Sequence, residues 1–135
     1  MKRLAGILLL SAVLLTGCSS SQMERQAVSE VLTVRSRALN SRDTAQYISV
    51  LSADYNHNGK DYSRLKESLI SNFRTFESIS YQPAEMTITL HGKYAEAVGA
   101  YRMRVVVRNK ELVLDGTEHL QLAKGPEGWK IIGGL

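Results

Sequence analysis

Apolar residues recur at helical spacing through the middle of the chain and at alternating spacing through its second half. Val28, Val31, Leu32 and Leu39, then Tyr47, Ile48 and Leu51, then Leu65, Leu69, Phe73 and Phe76 fall mostly three or four residues apart. That spacing puts side chains on one helix face and predicts three helices. Asp43 followed by Gln46 reads as a capping box opening the second helix, and Asp61 as the N-cap of the third. The period changes near Ile79. Met86, Ile88 and Leu90 share one face of a strand, and Ala95, Ala97, Gly99, Tyr101, Met103, Val105 and Val107 share a face of the next. Leu112, Leu114, Leu120 and Leu122 share a face of a third, and Trp129 with Ile131 starts a last one. His91-Gly92-Lys93, Asn109-Lys110 and Gly125-Pro126-Glu127-Gly128 supply the turns. Helices first and an antiparallel meander second define an α+β domain, with the helices covering one sheet face.

The residues ahead of this pattern have a different character. Lys2-Arg3, the apolar run Leu4 to Leu15 and the small residues Thr16-Gly17 succeed one another as the parts of a secretory signal do. The run is about 12 residues, against the roughly 20 needed to cross a bilayer core. Leu15-Thr16-Gly17-Cys18 ends in the only cysteine and resembles the lipobox of bacterial lipoproteins. The resemblance implies acylation of Cys18 and cleavage just before it. Residues 1–17 are then the signal peptide, 18–23 the acylated cysteine and a short polar tether, and 24–135 one domain. Several acyl chains anchor stably where one does not. Ser19, and not Asp, follows the cysteine, which in enteric-type sorting resembles an outer-membrane address facing the periplasm.

About 115 residues make one ordinary domain with room for a core. Removing Lys2 and Arg3 takes the formal net charge from +4 to +2. So small a balance gives no reason to expect nucleic acid as a partner. With Cys18 acylated no thiol remains for a disulfide, a nucleophile or a soft metal site, and no cofactor is expected.

A long first helix, a short second one ending in Leu51-Ser52-Ala53-Asp54-Tyr55, a third helix and then long strands closing on Gly125-Pro126-Glu127-Gly128-Trp129-Lys130-Ile131-Ile132 resemble the nuclear transport factor 2-like superfamily, in its bacterial SnoaL-like branch. The resemblance covers roughly residues 24–135. It implies three helices packed in the concave face of a curved antiparallel sheet of about four strands, a cone whose open end is often a pocket. Members include isomerases, dehydratases, ligand binders and scaffolds, so function does not follow from the fold.

Two charges interrupt the apolar stripes. Arg35 falls in the middle of the first helix's apolar face, and Glu118 shares the parity of Leu112, Leu114, Leu120 and Leu122. Buried charge is costly unless paired or solvated. Three readings stand at this stage. Arg35 snorkels past the helix edge while a bulge near Gly116 turns Glu118 outward; or the two form a structural pair; or they line a cavity, Arg35 anchoring an anionic ligand group and Glu118 orienting it or acting as a base. Tyr101, with inward parity, joins them as a candidate ligand contact and needs a partner for its hydroxyl if buried. Catalytic members of the superfamily commonly carry an Asp, His or Tyr in the cone, and Asp54, Tyr55, Tyr47 and Tyr101 are the residues of those types here. His91 and His119 sit on the outward parity, so a His-Asp dyad is not evident and no catalytic residue is assigned.

Asp54 to Asp61 has oxygen donors at the first, third and fifth places and Gly at the sixth, as a calcium loop does. The twelfth place is Leu65 where that loop needs Glu, and Asn58-Gly59 with a capping Asp61 explains the run as a tight turn. No metal site is assigned. On the outer sheet face Val98, Ala100 and Val106 share the surface with Glu96, Arg102, Arg104 and Arg108, a mix that suits an interface, a solvated face with incidental valines or, less well, anionic lipid headgroups. The resemblance implies that such an interface is a sheet-to-sheet homodimer. The sequence therefore predicts a membrane-anchored envelope lipoprotein with a non-catalytic domain that binds a small molecule in the cone or a protein on the sheet. The rival readings are a small isomerase, dehydratase or hydrolase with an acid/base site in the cone, and a dimeric structural adaptor.

Overall fold

The computed structural model describes residues 17–135, with side chains from Ser20 onward. Almost all of the expected signal peptide, and the Cys18 side chain, lie outside the described residues. Helix α1 spans Gly17–Ser41 and α2 Thr44–Ile48. A two-stranded hairpin follows, β1 Asn56–His57 against β2 Lys60–Asp61, and then α3 Tyr62–Thr75. The sheet is built from β3 Ser78–Pro83, β4 Thr87–His91, β5 Tyr94–Val107, β6 Lys110–Gly125 and β7 Gly128–Gly133. All its pairings are antiparallel: β3 and β4 pair in succession with one edge of β5, and β5, β6 and β7 follow in order.

Caps and turns form where the side chains demand them. Asp43 Oδ1 accepts from the Gln46 amide at 3.0 Å and Asp61 Oδ1 from the Arg64 amide at 2.9 Å, each satisfying an orphan donor of a first helical turn. Asn58-Gly59 turns the β1–β2 hairpin, so the run from Asp54 to Asp61 is a hairpin and cap. Among the described residues no His, Cys, Asp and Glu cluster could hold a metal ion.

The expected α+β arrangement is present, with α1 to α3 against the concave face of a curved sheet. The sheet has five strands, one more than anticipated. The extra strand is β3, whose alternation Ile79-Ser80-Tyr81 is too short to stand out directly after a helix, and whose Ile79 and Tyr81 point into the core. The turn between β5 and β6 falls one residue earlier than read, on Arg108-Asn109, both with positive φ (51° and 62°). Helix α1, described from Gly17, runs through the whole segment read as a tether and continues without a break into the domain. No helix among the described residues is long and apolar enough to cross a membrane.

The core joins Val28, Ala38 and Leu39 of α1, Leu65, Leu69 and Phe73 of α3, and Ala95, Ala97, Val105, Leu120, Leu122, Trp129 and Ile131 of the sheet. Three polar contacts fix α1 on it. Trp129 Nε1 donates to Glu24 Oε2 at 2.6 Å, and Lys124 pairs with the same carboxylate. Asn40 donates to the Tyr81 carbonyl at 3.1 Å and accepts from its amide at 2.7 Å, covering the free edge of β3 as a strand would. Arg25 caps the Ile88 carbonyl of β4.

Candidate functional site

Arg35 is buried, and its guanidinium points from α1 toward the sheet. Its Nη1 and Nη2 donate to Glu118 Oε1 and Oε2 at 3.3 and 3.0 Å, a two-pronged pair held almost out of solvent. Its Nε donates to the Tyr47 hydroxyl at 3.2 Å, and Nη1 also donates to the Tyr81 hydroxyl at 3.1 Å. Tyr81 in turn donates to Glu118 Oε1. Both rings lie beside the cation, their centroids 5.9 Å (Tyr47) and 5.2 Å (Tyr81) from Arg35 Cζ, within cation–π range.

Of the three readings of Arg35 and Glu118, the geometry realises the structural pair and also sets both residues on the wall of a cavity. Arg35 does not snorkel, and Glu118 keeps the inward parity because β5 and β6 run in unbroken register past Gly116, with Gly99 opposite Glu118. The irregularity in β6 lies instead between Gln121 and Leu122. Burial opposes the Arg35 charge, but Tyr47, Glu118 and Tyr81 overcome it and hold the guanidinium protonated well above its ordinary range. Tyr81 is pushed up to about 12, chiefly by burial, with Arg35 opposing and Glu118 reinforcing the shift.

The clamp forms one wall of a cavity of about 580 Å³ between α3 and the sheet. Leu39, Leu65, Leu69, Phe73, Ile79 and Met103 give it apolar sides, and His57, Lys60, Ser68, Asn72, Thr117 and Gln121 line it with polar ones. Tyr101 lines it as expected. Its ring lies over Gly116, where an added Cβ would come within 3.1 Å of it, and its centroid is 6.0 Å from that of Tyr81. No hydrogen bond satisfies the Tyr101 hydroxyl among the described residues, and since every fully buried side-chain polar atom has a partner, this hydroxyl keeps access to solvent. A broader cleft between α1 and the β3–β4 edge reaches Arg35 and Tyr81 from the other side and adds Arg25, Arg37 and Glu85, but neither Glu118 nor Tyr101 lines it.

The other candidates separate. Asp54 is exposed beyond α2, its amide bonded to Ser52 Oγ. Tyr55 is buried, and burial raises its pKa; its hydroxyl donates to the Leu135 carbonyl at 2.7 Å and accepts from the Leu135 amide at 2.8 Å, fastening the final residues. His91 is exposed, and the His119 ring turns outward to within 3.7 Å of Glu96, although its residue borders the cavity. Sequence reasoning missed Tyr81 and His57. The inward alternation of Ile79 and Tyr81 was the available signal for Tyr81; nothing in the sequence marks His57. On the outer face Arg102 pairs with Asp115 (2.7 Å) and Arg104 with Glu111 (3.0 Å), so these arginines are neutralised across the strands and do not form an unbalanced basic strip.

No protein-family model and no curated protein matches the sequence. Solved structures do. A nuclear transport factor 2-like superfamily protein from Salmonella enterica serovar Typhimurium superposes with a TM-score of 0.75 at 19% identity, over 84% of this chain and 89% of that one. A protein of that kind with a cystatin-like fold from Novosphingobium aromaticivorans gives 0.67 at 13%, over 85% and 81%. A candidate dehydratase of the same family from Streptomyces avermitilis gives 0.71 at 12%, over 83% and 93%. At these identities the likeness shows the fold: residues 17–135 form a nuclear transport factor 2-like α+β cone.

Proposed function

We propose that this chain is an acylated envelope lipoprotein, held at a membrane by lipid on Cys18, whose cone binds a small molecule without transforming it. Tyr101 carries the binding reading: a hydroxyl with no protein partner among the described residues, on the cavity wall, beside a clamp in which Arg35, Glu118 and Tyr81 already satisfy one another. Binding sites commonly combine apolar walls with a few placed polar groups. The non-catalytic part rests on the same clamp. Glu118 is engaged by Arg35 and Tyr81 together, and Tyr81 holds its proton to about 12, whereas a general acid or base works best with its pKa near the operating pH. The anionic-ligand role first considered for Arg35 gives way to a neutral one, because its charge is answered by Glu118. The sequence from Lys2 to Cys18 supports the anchor, and Ser19 an outer-membrane position facing the periplasm.

The rival is a small dehydratase or isomerase, favoured by the fold it shares with the candidate dehydratase. One experiment separates them: native mass spectrometry of the acylated protein extracted gently from its own membrane. A small-molecule adduct that weakens in Tyr101→Phe is expected. An adduct-free protein, or an adduct that leaves chemically changed, overturns the reading. A dimer or an envelope partner in place of the adduct moves the function to the outer sheet face.

A further inference from the structure

We infer that the ligand of the cone is a neutral amphipathic lipid, a hydroxyl or carbonyl head on a long apolar chain, with the chain laid along the inner face of the β5–β6 hairpin. This names the ligand class of the binding reading above and rests on it.

The hairpin outruns the strand that covers its far edge. β5 has 14 residues and β6 has 16, while β7 pairs only with Gln121 to Gly125 of β6 and leaves the earlier part of that strand as an open edge. On that edge lie Leu112, Val113 and Leu114, exposed at 54%, 49% and 47%. Three consecutive exposed large apolar residues in a strand are an error of patterning unless they serve a function. Two of them, Leu112 and Leu114, face inward, on the same side as the cavity.

The strand register connects stripe and cavity row by row. Glu118 faces Gly99, Gly116 faces Tyr101, Leu114 faces Met103 and Leu112 faces Val105. Met103 lines the cavity and is the direct cross-strand partner of Leu114. The inner face thus runs from the polar clamp, past the unpartnered Tyr101 hydroxyl, to Leu114 and Leu112, which adjoin the cavity through Met103. From Glu118 to Leu112 is six residues, about 20 Å of strand. That is the polarity profile of a single-headed lipid.

The clamp also sets the head's charge. Arg35 and Glu118 neutralise each other, so the clamp itself offers a carboxylate or ammonium head no unbalanced countercharge; Lys60 on β2, which also lines the cavity, is the lining cation without an ion-pair partner among the described residues. The Tyr101 hydroxyl can donate to a carbonyl or exchange hydrogen bonds with a hydroxyl.

The test is photolabelling of the full acylated protein in phosphatidylethanolamine nanodiscs. The two probes are hexanol and hexadecanol, each carrying a terminal diazirine, and the labelled residues are mapped by peptide mass spectrometry. The short alcohol is expected to label cavity residues such as Met103, and the long one Leu112 to Leu114. In Leu112→Ser/Leu114→Ser, long-chain labelling at the hairpin falls roughly tenfold, as expected for losing Leu-sized apolar contacts, while short-chain labelling persists. That persistence also certifies the variant's fold. If the short probe fails to label the cavity, the binding reading itself falls. If the short probe labels but the long one never reaches the hairpin, or the variant leaves its labelling unchanged, the lipid inference alone falls. Inter-protein cross-links at Leu112 to Leu114 would likewise overturn it and make a second copy the occupant. Hexadecanoate labelling the stripe as well as hexadecanol would refute the neutral head.

Discussion

Arg35 and Glu118, 83 residues apart, meet across the cone with both carboxylate oxygens engaged, at 3.3 and 3.0 Å, and both side chains about nine-tenths removed from water. Such a pair adds little net stability over an apolar replacement, but breaking it strands a buried charge. Glu118→Leu and Arg35→Met should each cost about 3–5 kcal/mol by urea unfolding. The double replacement Arg35→Met/Glu118→Leu should cost far less than their sum. Additive losses would mean the two do not interact as the geometry has them.

The same clamp makes stability sensitive to alkali. Tyr81 has its pKa raised from 10.0 to about 12, so the native state holds a proton that the unfolded chain releases first. Its contribution is complete below about pH 10 and is lost as pH rises through about 12. Tyr55, also raised, acts in the same direction. Thermal unfolding should therefore show a steeper alkaline decline in the parent than in Tyr81→Phe, with roughly 2 kcal/mol of pH-dependent stability removed by the substitution. Parallel profiles would show that Tyr81 ionises no later in the native state than in the unfolded one.

The end of the chain is fixed by backbone as well as by side chains. Gly134 has φ of +96°, and an added Cβ would stand 2.1 Å from the His119 carbonyl oxygen. Gly134→Ala must displace Leu135 from the Tyr55 hydroxyl, at about 1–3 kcal/mol for the hydrogen bonds and packing lost. Gly125→Ala, where a Cβ meets nothing within 4 Å, should stay within about 0.5 kcal/mol of the parent. Because Tyr55→Phe breaks the same contact, its loss and that of Gly134→Ala should fail to add. Additivity in denaturant melts would place the two in separate networks.

Much of this arrangement is legible in the sequence because it is local. The helix spacings, the Asp43 and Asp61 caps and the strand parities depend on neighbours a few residues away, and parity alone placed Arg35, Glu118 and Tyr101 on one interior. What sequence could not decide was whether Arg35 and Glu118 meet, since that depends on how α1 crosses a strand 83 residues later. Tyr81 escaped because a six-residue strand carries only two inward residues, too few to establish a period. The exposure of Leu112 and Leu114 escaped for a related reason. They share the parity of the buried Leu120 and Leu122, and parity does not show that β7 flanks only the end of β6 and leaves its earlier part an edge.

The anchor can be tested independently of the cone. If Cys18 is acylated and the chain is cut before it, the intact mass of the envelope protein equals that of residues 18–135 plus lipid, and Cys18→Ala loses the lipid mass. The domain should be indifferent to that change. Glu24, bonded to Trp129 and Lys124, is the first residue whose side chain ties α1 to the sheet among those described. Denaturant midpoints of the acylated chain and of a soluble one beginning at Ser20 should therefore agree. A parent mass without lipid removes the anchoring reading and leaves the cavity argument standing. A large loss of stability in the soluble chain would show that the first turn of α1 contributes to the fold more than these contacts imply.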